Sequence, residues 1–380
     1  MKKICYITTI SLSIKSFFIP QIKYLSNNGF SVTVICSKDD ELQKYLEEKV
    51  EYIPIEIVRG ISISNIFSVV HKLSKVFKER QFDIVQYSTP NAALCASIAS
   101  KLSGVKVRNY HMMGIRYLGT SGIMRKVLKC MEELTCKLSS DIECVSKSNL
   151  ELGIKEGLYD RNKAVVVWNG STGGVDLKRF NAANRKLWRN EIRQALNISN
   201  DDFVFGFVGR ITRDKGINEI LSAFRKLDKK CKLLIIGNQE GIDTLDSDLW
   251  EYAINNENII IHHSVNDIEK YYAAIDILLL PSYREGFGMV IAEAAAVGTP
   301  AIVSDIPGPV DVIEKGVTAL TVEVRNSNDL KDKMNICLEN CSLVENMQKN
   351  CPQFIAEKFD EDTLNMYILK RKNGLVEQRG

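Results

Sequence analysis

Short runs of β-branched residues alternate with longer segments of helical period along nearly the whole chain. That rhythm restricts the fold more than any other feature, because parallel strands need crossover connections long enough to be helices. The opening stretch predicts a strand at residues 3–8, a helix at 16–27 closed by Gly29, and a second strand at 31–36. Gly29 suits the left-handed position that follows a helix end. The pattern recurs as a strand at 83–87, a helix at 92–102 ending at Gly104, a strand at 105–110, a helix over 123–138, and strands at 141–145 and 164–168. A second series starts with a strand at 203–208. It continues through a helix at 216–227, a strand at 232–236, a helix at 245–254, a strand at 258–262, a helix at 268–274, a strand at 275–280, a helix at 289–297 and a strand at 301–304.

Two such series predict an α/β chain of two Rossmann-like, doubly wound domains. The length of 380 residues agrees, since a domain takes about 150. Between the series, Asn169-Gly170-Ser171-Thr172-Gly173-Gly174 reads as a hinge, placing the domains at residues 1–175 and 176–355. Ligands of such folds bind beyond the carboxyl ends of the strands, here expected between the domains.

A net charge of +3 hides an asymmetry. Residues 1–175 carry 24 Lys and Arg against 16 Asp and Glu, a balance of +8, while the remainder carries 26 against 31, or −5. The ten cysteines form no C-x-x-C pair, which speaks against a metal site. Several lie inside apolar runs such as Ile4-Cys5-Tyr6, as small hydrophobes do in a reducing compartment, so the cytosol is the expected location. Lys2-Lys3-Ile4-Cys5-Tyr6-Ile7 imitates a signal peptide, but Thr8, Thr9, Ser11, Ser13 and Lys15 break the apolar region, and the segment reads as a first strand. No uncharged apolar run approaches the roughly 18 to 20 residues of a membrane span, so any membrane contact should be peripheral.

The richest segment is Pro281-Ser282-Tyr283-Arg284-Glu285-Gly286-Phe287-Gly288-Met289-Val290-Ile291-Ala292-Glu293-Ala294. A strand ends, a loop carries Glu285, two glycines permit close backbone approach, and a helix begins whose first amides suit phosphate or hydroxyl oxygens. If the span is mostly helical, Glu293 stands about two turns beyond Glu285. An apolar helix has little reason to carry Glu293 unless its carboxylate has a partner. This segment resembles the glycosyltransferases of family 4, which are GT-B enzymes, through their E-x7-E motif in its Glu-Gly-Phe-Gly setting. The resemblance implies that Glu285 contacts hydroxyls of a donor sugar and that Glu293 binds the nucleotide ribose.

A second segment, Gly209-Arg210-Ile211-Thr212-Arg213-Asp214-Lys215-Gly216, places two cations five residues apart just after a strand. Arg210 can grip two oxygens at once, and Lys215 acts as a mobile point charge, as a diphosphate requires. Arg213 reads as a solvated loop cation. The family shares this Gly-Arg and Lys-Gly spacing and uses the two cations to hold the leaving nucleoside diphosphate. The implied donor site is Gly209, Arg210, Lys215, Glu285, Gly286, Phe287, Gly288, Met289 and Glu293. The resemblance continues in Val166 to Asp176 with Phe180, similar to the family's Asn-Gly-Val-Asp-x-x-x-Phe segment with a Ser/Gly insertion found in builders of bacterial surface polysaccharides. It also makes residues 356–380 the helix that crosses back to the first domain.

The first domain matches less well. Its loop Thr8-Thr9-Ile10-Ser11-Leu12-Ser13 lacks the glycines that many members place near the donor phosphate, leaving either hydroxyl contacts or an acceptor role. His111, at a strand's carboxyl end, matches a position where the family often has a histidine on the donor sugar, and it joins Glu285, Arg210 and Lys215 as an implied catalytic group. His262 and His263 point to opposite faces of a strand and make a poor metal site. Asp246-Ser247-Asp248 mimics a metal-binding Asp-x-Asp but falls at a helix start with no other hard-oxygen ligands, so no metal is expected. In residues 121–138, Ile123, Val127, Met131, Leu134 and Leu138 share one helical face, flanked by Arg125, Lys126, Lys129 and Lys137. The pattern favours a helix packed on the sheet with a basic outer face over an interfacial membrane helix, although the +8 balance adds weight to the latter.

The expected activity is that of a retaining, metal-independent glycosyltransferase. It would move a sugar from a nucleotide-sugar, expected to be a UDP-sugar, to a lipid-linked saccharide, with no cofactor and with peripheral contact to an anionic membrane at the inner face of the cell. A nucleotide-sugar epimerase or a silent nucleotide-sugar binder on the same fold are the alternatives. Nucleic acid is not an expected partner, because the cations are not interleaved with aromatics.

Overall fold

A computed structural model describes residues 1–58, 60, 63–228 and 230–378. Among these described residues the chain divides into two compact units, Met1–Gly174 with Glu361–Gly380 and Val175–Asp360.

The first unit is built on parallel strands β1 (Lys2–Ile7), β2 (Phe30–Cys36), β3 (Glu51–Pro54), β4 (Ile84–Tyr87), β5 (Val107–Met112), β6 (Asp141–Cys144) and β7 (Ala164–Val166), in the spatial order β3-β2-β1-β4-β5-β6-β7. Successive side chains go to opposite faces and both faces are apolar, as a sheet covered on both sides requires. Ile4 and Tyr6 meet α1 (Ser11–Phe17) and α2 (Ile19–Asn27), which bury Ile14, Ile22 and Leu25. Cys5 and Ile7 face the other way, toward Leu73 and Phe77 of α3 (Ile63–Arg80), Ala96 of α4 (Pro90–Leu102) and Leu128 of α5 (Gly122–Leu138). α6 (Lys147–Lys155) precedes the edge strand β7.

The single helix expected at 16–27 is two helices. Pro20 lies in the first turn of α2, where its missing N–H costs nothing, whereas inside a continuous helix it would break the hydrogen-bond ladder. α5 is also turned differently from expectation. Its buried residues are Leu128, Glu132, Thr135 and Cys136, while the stripe read as inward leaves Ile123 82 % exposed, Val127 38 % and Leu134 40 %.

The second unit holds α7 (Arg185–Ala195), β8 (Val204–Val208), α8 (Ile217–Arg225), β9 (Lys232–Ile236), α9 (Ser247–Asn255), β10 (Ile259–His262), α10 (Ile268–Ala274), β11 (Ile277–Leu280), α11 (Met289–Ala296), β12 (Ala301–Ser304), β13 (Ala319–Val322), α12 (Ser327–Glu339) and α13 (Cys341–Phe359). Its sheet order is β10-β9-β8-β11-β12-β13, and every pairing is parallel. Asp246 caps α9 through the amides of Asp248 and Leu249, each at 3.1 Å, which accounts for the Asp-Ser-Asp sequence without a metal. The expected 356–380 segment is divided: residues 356–359 finish α13, Asp360 is non-helical, and α14 (Glu361–Glu377) returns to pack Leu375 into the first unit. Its last two positions lie outside the described residues.

Candidate active site

The second sheet reverses its order at β8 and β11, which are neighbours although two strands separate them in sequence. Loops leaving such a pair diverge to opposite faces and open a crevice beyond the strands' carboxyl ends. Here those loops are residues 209–216 and 281–288, so the topology itself assembles the two motif segments.

Contact follows. The Lys215 ammonium donates to Glu285 Oε1, and the two side chains are only 18 % and 15 % exposed. Lys215 is therefore a held charge, not a mobile one. Asp214 ties the loops again, 3.2 Å from Arg284 and 3.9 Å from Arg210, whose side chain is 56 % exposed. Burial would push the Asp214 carboxyl up, but the Thr212 hydroxyl at 2.6 Å and the surrounding cations hold it below the ordinary range. The close approach depends on Gly216, which has φ +79°; a β-carbon there would lie 2.3 Å from the Pro281 carbonyl oxygen.

Glu285 sits in the loop, as expected, and the span to Glu293 is not mostly helical, so the two do not lie along one helix. Gly288, at φ 97°, caps α11 in a left-handed conformation that cannot continue a right-handed helix, so Glu285 stays in the loop and Glu293 alone is helical. Glu293 is partly exposed, and its Oε2 accepts a hydrogen bond from the Tyr272 hydroxyl at 2.9 Å. Burial pushes this carboxyl up to about 7, against the opposing pull of Tyr272 and Arg179. Phe287 turns its ring inward, edge-on to Phe359 at 5.2 Å, leaving its backbone as the part a ligand could meet. Gly286 packs backbone to backbone with Gly308, Met289 opens α11, and the Gly209 N–H donates to the Ile236 carbonyl at 3.0 Å.

His111 lies in the first unit, at the carboxyl end of β5, and is buried. Its Nδ1 is 3.4 Å from the Ser88 hydroxyl, and Phe18 packs edge-on against the ring at 5.3 Å. Burial pushes its pKa down to about 4, so the imidazole is uncharged at neutral pH. In the glycine-free loop, the Thr8 hydroxyl donates to the Ile10 carbonyl at 2.9 Å. Thr9 engages the Thr89 hydroxyl through its N–H at 3.0 Å and its own hydroxyl at 2.8 Å, so both threonine hydroxyls already have partners within the protein.

Two participants escaped the sequence reading. Asp214 was visible as an i, i+4 partner of Arg210, whereas nothing in the helical pattern around Tyr272 marks it as the partner of Glu293.

Residues 189–354 match the family model described as glycosyl transferases group 1, and residues 3–145 match that described as glycosyl transferase 4-like. The capsular polysaccharide biosynthesis glycosyltransferase CapM of Staphylococcus aureus is 30 % identical over 384 residues, covering 98 % of this chain and 99 % of its own. The chain belongs to glycosyltransferase family 4. Another relative of this family-4 enzyme is the N,N'-diacetylbacillosaminyl-diphospho-undecaprenol alpha-1,3-N-acetylgalactosaminyltransferase of Campylobacter jejuni. It is 26 % identical over 388 residues, covering 97 % of each chain. Among solved structures, Anabaena HepE in complex with UDP-glucose has a TM-score of 0.81 at 19 % identity over 98 % of this chain and 100 % of its own, a likeness of fold, which is GT-B. Arg210, Lys215, Glu285 and Glu293 of the glycosyltransferase fall within the first matched segment and His111 within the second.

Proposed function

We propose that this enzyme transfers a sugar with retention and without a metal ion, from a UDP-sugar to a lipid-linked saccharide, in the synthesis of a bacterial surface polysaccharide. The observation that carries the reading is the meeting of Lys215 and Glu285, with Arg210 close by, at the switch point of the second sheet. In the free enzyme Glu285 is the counter-ion of Lys215. When the donor binds, a phosphate oxygen takes over Lys215, and Glu285 is released to accept hydrogen bonds from sugar hydroxyls. As the bond from the anomeric carbon to the diphosphate breaks, Arg210 and Lys215 absorb the charge left on the leaving group, the work a metal ion would otherwise do. The acceptor oxygen bonds to the same face of the anomeric carbon, and its proton passes to a phosphate oxygen. Uncharged His111 orients the sugar and Glu293 takes the ribose hydroxyls.

The UDP assignment draws support from the HepE complex with UDP-glucose, and the acceptor class from the diphospho-undecaprenol in the name of the C. jejuni relative. Arg210→Ala and Lys215→Ala should each lower turnover by about 10²- to 10³-fold. Near-normal turnover in both variants would sink the mechanism, and isomerisation of the free donor without acceptor would replace transfer with epimerisation.

The same reading sets the enzyme at an anionic membrane surface, on the inner face of the cell membrane. No helix among the described residues is long and apolar enough to cross a membrane. The support comes from α5, where exposed Ile123, Met124, Val127 and Leu134 are accompanied by exposed Lys126 and Lys137, with Arg116 shortly before. Anionic lipid attracts each nearby cation by about 1 kcal/mol, and the apolar side chains can enter the interface. Binding to anionic vesicles that high salt reverses is the expected result, and equal binding to neutral vesicles would refute it.

A further inference from the structure

On the face of the first sheet that α14 covers, the strand register sets His111 directly beside Glu143, and Ser88 stands at the other side of the imidazole. All three are buried, and Phe18 closes the row from above. Into this row α14 sends Lys372, which has no exposed side-chain surface and whose ammonium lies 2.7 Å from Glu143 Oε2. Arg371 stands 3.5 Å from both Glu143 and Asp141. Tyr6 on β1 and Cys144 on β6 are further titratable groups near Glu143, and Tyr6 gives its hydroxyl to Gln21 at 2.5 Å. The charges that act on the imidazole are thus Glu143 and Lys372, with Arg371 and Asp141 behind them.

A lone carboxylate beside a buried imidazole draws a proton onto the ring, because an ion pair costs less in a low-dielectric row than an unpaired charge. Lys372 removes that pull. We propose that Lys372 is a positioning residue for His111: by neutralising Glu143 it keeps the imidazole uncharged, able to donate from one nitrogen and accept at the other toward a sugar hydroxyl. The inference rests on the role given to His111 under the proposed function. It also gives the returning helix a chemical task, since the chain supplies Lys372 only after completing the second unit.

The protein has four histidines, His71, His111, His262 and His263, few enough for each ring to be titrated by NMR in the full chain. In the wild type, His111 should stay neutral down to pH 5; a midpoint at or above 6 overturns the proposal without any variant. In Lys372→Met the His111 midpoint should rise by at least one pH unit, and the acid limb of kcat/KM should rise with it. The double variant Glu143→Gln/Lys372→Met removes both charges and should bring both midpoints back. An unmoved midpoint in the single variant, or the same rise in the double variant, overturns the proposal. A midpoint that moves while the pH–rate profile stays fixed overturns the role of His111 in turnover, and the positioning role with it, while leaving the electrostatic coupling in place.

Discussion

Glu132 on α5 and Glu293 on α11 are the same small arrangement placed in two different units. Each is a glutamate on a helix, and each accepts a hydrogen bond from a tyrosine hydroxyl, Tyr110 at 2.6 Å and Tyr272 at 2.9 Å. Burial pushes each carboxyl up to about 7, with the tyrosine pulling the other way. The surroundings differ. Glu132 is sealed on the sheet-facing side of α5 beside Leu128, Thr135 and Cys136, whereas Glu293 keeps partial exposure on the helix that follows a switch-point loop and feels Arg179. A perturbed carboxyl therefore records burial wherever it occurs. It becomes a candidate binding group only where the fold also puts it at the carboxyl ends of the strands.

The largest effect should appear in stability against pH, where the two carboxyls act alike because burial raises each to about 7. The Glu132 carboxyl titrates at 4.5 when unperturbed and at about 7 in the folded protein. The folded state binds its proton more tightly, so the contribution is complete below 4.5 and is lost as pH rises toward 7. The loss amounts to about 3 kcal/mol at 1.36 kcal/mol per pH unit. Glu132→Gln keeps the shape and an oxygen for Tyr110 but cannot ionise. Urea unfolding at pH 5 and pH 8 should show the variant losing about 3 kcal/mol less than the wild type over this interval, while the equal shift of Glu293 acts in both. An unchanged difference would mean that Glu132 ionises inside the fold at no cost.

Nucleotide affinity should separate them next, in the opposite unit. Ribose hydroxyls donate hydrogen bonds and favour the carboxylate, so UDP should bind more tightly as pH rises through 7 and Glu293 ionises. Glu293→Gln should lose about tenfold in affinity at pH 8 and bind equally at pH 6 and 8, while Glu132→Gln follows the wild type. Calorimetric titration at the two pH values decides it. A flat wild-type response, or a matching loss in both variants, would break the distinction.

Only one of these glutamates was legible beforehand, and the reason is physical. Glu293 stands at a fixed offset from Glu285 because a loop and the first turn of a helix span a set number of residues. Glu132, followed by Glu133 on a lysine-rich helix, looks like a solvated charge. The apolar stripe of α5 pointed the wrong way for a related reason: pairing Glu132 with Tyr110 is a tertiary choice that turns Ile123, Val127 and Leu134 outward, and helical period says nothing about which face a sheet will take. The alternation of strands and helices, by contrast, made both parallel sheets readable. The strands β3 and β13 went unseen although others of four residues, such as β4, were read; β3 carries Glu51 and Pro54, residue types that mark a strand poorly. Glu143 and Lys372 stand 229 residues apart, and no local pattern joins them.

The smallest expected effect is the most discriminating, because the same substitution can be made on both sides. Tyr110→Phe and Tyr272→Phe each remove one donor from a carboxylate, and a donor to the charged form lowers its pKa. Both glutamates should then titrate at higher pH, but through different readouts. In Tyr110→Phe the loss of stability with pH extends further into the alkaline range, at a cost of about 1 kcal/mol at pH 8, and the UDP affinity curve stays where it was. In Tyr272→Phe the midpoint of the UDP affinity curve moves to higher pH. If both substitutions moved the affinity curve, pH would be acting through the folding of the whole chain, and Glu293 would lose its claim to be a binding group. If only Tyr272→Phe moves it, the proton that governs nucleotide binding sits on the α11 carboxylate.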